Sequence, residues 1–114
     1  MNNKEFLKRR VDHTQKRFEL CDRKDIEYAR SSDRLANFFR VAQKYKIHPL
    51  KVLAVYREKH LDGIAEFICR LGRGEYTEDI IGRIYDAENY DDLLLDMIET
   101  MREYPERFKE WEVR

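Results

Sequence analysis

Residues able to do chemistry recur at helical spacing in three stretches of this chain. Asp33 and Asn37 lie four apart, on one helical face, with Arg34 beside them. Lys59 and His60 adjoin, with Asp62 close behind. Arg83, Asp86 and Tyr90 share a third face, and Asn89 adjoins Tyr90. The pair Glu27 and Tyr28 precedes the first group. Brought together, these side chains would suit a phosphorylated small molecule. Cations and N–H donors meet phosphate oxygens, carboxylates hold Mg²⁺ or ribose hydroxyls, and a tyrosine ring stacks on a base.

Each of these residues also has a structural role open to it. His60 on an apolar stripe can be a hydrogen-bonded core histidine. Asp33 can act at a helix start, stabilised by the dipole. Arg83 with Asp86 can be an ordinary surface pair, worth about 0.3–0.5 kcal/mol. Acidic pairs at i and i+3, the spacing with which facing helices hold Mg²⁺, number six in the chain. About four to five would arise by chance at this acid content, so the spacing carries no signal. Glu88 with Asp91 is the best placed of them. No glycine-rich phosphate loop, nucleophile elbow or His-Glu-x-x-His segment is present.

The elements that must position these groups are helices. Leu7, Val11, Thr14, Phe18 and Cys21 alternate at spacings of four and three, which predicts a first helix over about 4–24. A looser stretch, 25–30, leads to Ser31 or Ser32 as a cap. A second helix is expected over about 33–45, with Leu35, Phe38, Phe39, Ala42 and Tyr45 facing the core. Pro49 opens a third, whose stripe is Leu53, Tyr56, His60, Ile64, Phe67 and Leu71, with Gly72 and Gly74 as its stop. Thr77 caps a fourth, whose stripe runs through Ile80, Ile84, Ala87, Leu94, Ile98 and Met101, interrupted by Asp91. Pro105 ends it. Phe108 and Trp111, three apart, form a small aromatic anchor that docks the tail, 105–114, or binds a neighbour. The fold class expected is all-α, a small bundle of about four helices in one domain spanning 1–114, which oligomerisation would complete.

Composition narrows the function classes. The 114 residues carry 23 basic and 23 acidic side chains, 42% apolar content, four Gly and two Pro. That excludes a disordered chain and argues against a turn-rich β-sandwich. No apolar stretch approaches a membrane span and no secretory signal is visible, so no membrane contact and a cytoplasmic location are expected. Cys21 and Cys69 lie far apart, fitting a reducing compartment, and each reads as a small core residue. The zero net charge hides an asymmetry: +3 over residues 1–30, +5 over 31–73 and −8 over 74–114. The basic middle invites an anion or the chain's own acidic third; duplex nucleic acid is disfavoured.

The order Glu27-Tyr28-Ala29, Asp33-Arg34-Leu35-Ala36-Asn37-Phe38, Lys59-His60, Arg83-Ile84-Tyr85-Asp86 and Asn89-Tyr90 resembles a family of small bacteriophage proteins. They are grouped as nucleotide-modification-associated or MazG-like all-helical proteins. The likeness covers about residues 24–101. It implies a helical fold, a phage origin (and so a host-cell cytoplasm) and work on nucleotides. By matching position, Glu27, Asp33, Arg34, Asn37, Lys59, His60, Asp86, Asn89 and Tyr90 would line the site. Members that look catalytic carry a Glu one turn before the Asp matched by Asp86; here that position is Gly82. The departure removes a metal ligand and tells against hydrolysis.

The leading expectation is therefore a phage-type protein that captures a nucleotide or signalling nucleotide without turnover, by analogy with phage proteins that sequester host immune nucleotides. Arg34, Lys59 and Arg83 would grip phosphates, His60 and Asn37 would hydrogen-bond the ligand, and Tyr90 would stack on the base, with Asn89 beside it. The alternative is a Mg²⁺-dependent nucleoside triphosphate pyrophosphohydrolase, with Glu27, Asp33 and Asp86 as metal ligands. A third is an acidic interaction module that blocks a host factor. A homo-oligomer, most simply a dimer, is expected in each case.

Overall fold

The computed structural model describes residues 1–28, 33–71 and 80–112, with the backbone alone over 22–28. All the regular structure among the described residues is helical, as the apolar periodicity required. There are four α-helices, α1 (Asn3–Tyr28), α2 (Ala36–Tyr45), α3 (Pro49–Cys69) and α4 (Ile80–Glu103), and a closing 3₁₀ helix, Pro105–Trp111. None of the described helices is long and apolar enough to cross a membrane. The chain divides into two compact units, 1–32 and 33–114.

The first unit is built on α1. Asn2 caps it, its Oδ1 accepting from the Glu5 N–H at 2.9 Å. An ion pair from Lys16 to Asp12, 3.1 Å and one turn apart, lies along its surface. The helix continues through Tyr28, so backbone in the stretch expected to loosen at Asp25 is helical up to that point. Ser31 and Ser32 lie outside the described residues.

The second unit holds the core: Leu35, Phe38 and Ala42 near and on α2, Val52 and Leu53 on α3, Met97 on α4, and Phe108. α2 starts three residues later than expected. The Asp33 carboxylate accepts from the Leu35 N–H at 2.9 Å, closing a turn that precedes the first helical residue. Lys46, at φ 56°, ends the helix in the left-handed conformation. His48 then caps α3, its Nδ1 accepting from the Leu50 N–H at 3.0 Å, and Pro49 fills the first turn where its missing N–H costs nothing. Gly72, Gly74 and Thr77 lie outside the described residues.

Several core assignments shift. Tyr45 is 63% exposed, because the buried stripe of α2 ends at Ala42 one turn earlier. Tyr56 is 42% exposed: it touches the core edge-on and leaves one side open. Cys69 is exposed, at the end of α3 beyond its packed length, and Cys21 is half-buried. On α4 the most buried side chains are Met97, Tyr85 and Ala87, while Ile84 is partly exposed. The aromatic anchor docks as expected. Phe108 is buried, with Phe39 5.3 Å and His48 5.6 Å from its ring, and Trp111 lies 6.1 Å from Phe39.

Candidate functional site

α3 and α4 run antiparallel. Arg57 meets Asp91, His60 meets Tyr90 and Gly63 meets Arg83, so advancing along α3 retreats along α4. Three residues per step on α3 place Arg57, His60 and Gly63 on one face, and that face is turned to α4.

Tyr90 is the centre of the arrangement. Its ring lies 4.9 Å from the His60 ring and near-parallel to Tyr56, at 15° and 6.5 Å, with Phe38 of α2 edge-on at 6.4 Å. Phe38 also meets Tyr56 edge-on at 5.9 Å. Burial pushes the Tyr90 phenol above its ordinary pKa, with smaller pushes from the Asp86 carboxylate and Tyr56. The hydroxyl therefore stays protonated at neutral pH, able to donate to a carboxylate, phosphate or base oxygen.

Cations flank these rings on both sides. On one side Arg57 Nε donates to Asp91 Oδ1 at 2.6 Å, which explains the acid that interrupts the α4 stripe. On the other, Arg83 crosses Gly63 so closely that a Cβ there would lie 2.8 Å from Arg83 Cδ and overlap its guanidinium. Gly63 is buried for this reason, and a side chain at that position would evict the arginine.

Four of the expected site residues thus gather: His60, Arg83, Asp86 and Tyr90. Asn89 is half-buried beside them in sequence. Lys59 sits on the outer face of α3 with Val55, Asp62 and Glu66, all exposed at spacings of three and four. Arg34 and Asn37 are exposed at the start of α2. Asp33 faces the closing helix, its Oδ2 3.8 Å from Arg107 Nη2, while the Arg107 guanidinium lies 4.3 Å over the Phe39 ring. Glu27 lies in the other unit, outside the residues whose side chains are described. Among the described residues no three His, Cys, Asp or Glu side chains gather to hold a metal ion. Of the expected metal ligands, Asp33 has Arg107 Nη2 3.8 Å from its carboxylate and Asp86 lies one turn before Tyr90.

Sequence reasoning missed three contributors. Tyr56 lies on the apolar stripe of α3, where a tyrosine reads as core. Arg57 was overlooked, although an aspartate on an apolar stripe calls for a cation across the helix pair. Gly63 had no signal beyond being a glycine inside a helix, where it costs about 1 kcal/mol against alanine unless something needs the space. No family model matches the chain, and no curated protein and no solved structure is significantly similar to it.

Proposed function

We propose that the chain binds a nucleotide on the α3–α4 ledge, as the resemblance to phage nucleotide proteins implies, and holds it without turnover. The observation that carries this reading is the pair of near-parallel rings, Tyr56 and Tyr90, with Tyr56 open to solvent and arginines at both ends. A base stacks on the open side of Tyr56; Arg83 meets phosphate oxygens; His60 and the Tyr90 hydroxyl supply hydrogen bonds. Gly82 in place of a carboxylate favours capture over metal-assisted hydrolysis.

Calorimetry against mono-, tri- and cyclic nucleotides tests the reading. One class is expected to bind with EDTA present and to be recovered intact. Base–aromatic stacking contributes about 1–3 kcal/mol, so Tyr56→Ala is expected to weaken that binding roughly 5- to 150-fold. Absence of binding by every nucleotide, or an unchanged affinity in Tyr56→Ala, overturns the proposal.

A further inference from the structure

An apolar open surface outside the α3–α4 site lies along α1. Leu7 is 62% exposed, Val11 69% and Phe18 51%. Their spacing is that of a heptad seam. Val11 and Phe18 are seven apart, and Leu7, Thr14 and Cys21 form the interleaved series, of which Leu7 is open and Thr14 and Cys21 are half-buried, as Arg17 beside them is buried. A shallow hollow of about 610 Å³ opens on this seam, lined by Arg10, Val11, Thr14, Gln15, Phe18 and Glu19. Val11, Thr14, Gln15 and Phe18 are the four corners of the hole that a knob from a facing helix fills in a coiled coil. Thr14, the smallest of them, leaves the floor low.

We infer that α1 is a self-association surface, and that its occupant is α1 of a second copy of this chain, lying parallel. The charge arrangement selects that occupant. One edge of the hollow is cationic: Arg10, held 5.5 Å over the Phe6 ring. The opposite edge is Gln15 and Glu19, joined by a 3.5 Å hydrogen bond from Gln15 Nε2 to Glu19 Oε1. A two-fold axis along the helices turns the Arg10 edge of each copy toward the Gln15–Glu19 edge of the other, so the surface is self-complementary. An antiparallel copy would instead set each edge against its own kind. The size of the contact sets its strength. From Leu7 to Cys21 the helix is about 22 Å long and 10–12 Å wide, so the seam covers roughly 250 Å² of each copy in projection, a small interface and a weak, concentration-dependent dimer. This inference is independent of the nucleotide reading, since neither Val11 nor Phe18 belongs to the ledge.

Sedimentation equilibrium of the full chain from about 10 μM to 1 mM tests it. The parent is expected to pass from monomer to dimer across that range. Val11→Glu, at a solvent-exposed position, is expected to remain monomeric with an unchanged melting temperature. Thr14→Leu, which raises the floor of the hole, is expected to dimerise about tenfold more tightly. In a Cys21→Ser/Cys69→Ser background, Leu7→Cys is expected to cross-link to itself under mild oxidation, as only the parallel register brings the two thiols together. A monomer at every concentration, a dimer indifferent to Val11→Glu, or no Leu7→Cys cross-link overturns the inference. So does a foreign chain retained in native mass spectra of the purified parent and lost from Val11→Glu.

Discussion

His48 couples a helix start to the tail. Its Nδ1 accepts from the Leu50 N–H, and its ring stacks at 20° on Phe108, with Trp111 6.3 Å away. Only the neutral imidazole can accept at Nδ1, and the positive end of α3 disfavours a cation there. Burial lowers the His48 pKa from the ordinary 6.5, and the Lys51 ammonium lowers it further. A histidine whose folded pKa lies below its unfolded value contributes stability that is fully present above pH 6.5 and lost as pH falls below it. The melting temperature is therefore expected to fall between pH 7.5 and 5. His48→Asn, which keeps a capping acceptor and removes the titration, is expected to flatten that dependence. An equal slope in parent and variant would count against this role. The sequence sets the two histidines apart by position, His48 before Pro49 and His60 on the α3 stripe, but what each ring touches comes from the fold.

At the scale of elements, the α3–α4 pair depends on Gly63. The atoms that a Cβ would strike belong to the far end of the Arg83 side chain, which can swing away. Gly63→Ala is therefore expected to leave the chain folded. The crowding is offset by about 1 kcal/mol of helix propensity, for a net change in stability within roughly 1 kcal/mol. Displacing Arg83 is expected to weaken nucleotide binding about as much as Arg83→Gln does, with little further loss in the double variant, as for two changes acting through one contact. Thermal melts and calorimetry on the three variants read both quantities. Binding equal to the parent's in Gly63→Ala would remove Arg83 from the ligand contact. Helix existence was legible at this scale because the apolar spacing is regular. Helix faces were less so: of the expected α4 stripe Ala87 is buried and Leu94 and Met101 pack on the core, but Ile84 is exposed and the enclosed Met97 and Tyr85 lie off that stripe.

For the whole molecule, every residue of the buried core cluster lies between Leu35 and Phe108. The unit 33–114 therefore carries its own apolar centre, and a fragment of those residues is expected to melt cooperatively with helical circular dichroism. The unit 1–32 rests on a single described helix, and most helical stability in proteins comes from packing of an apolar face rather than from propensity. As a dilute peptide it is expected to be mostly unfolded and to gain helicity with concentration as copies pair. A non-cooperative melt of 33–114 would show that the core needs the first unit.

What the sequence determined by itself is local. Apolar spacing settles where the chain is helical, Pro49 and Pro105 punctuate it, and the Phe108–Trp111 spacing announces an anchor, because these depend on neighbours within a turn or two. It also marked His60, Arg83, Asp86 and Tyr90 as candidates, since polar groups on apolar faces are conspicuous. Which candidates meet was decided only by the tertiary structure. The antiparallel register of α3 and α4 gathers those four and recruits Tyr56, Arg57 and Gly63, while Lys59 turns to the outer face and Asp33 to Arg107. Register between helices is set by packing among residues distant in the chain, and no local spacing encodes it.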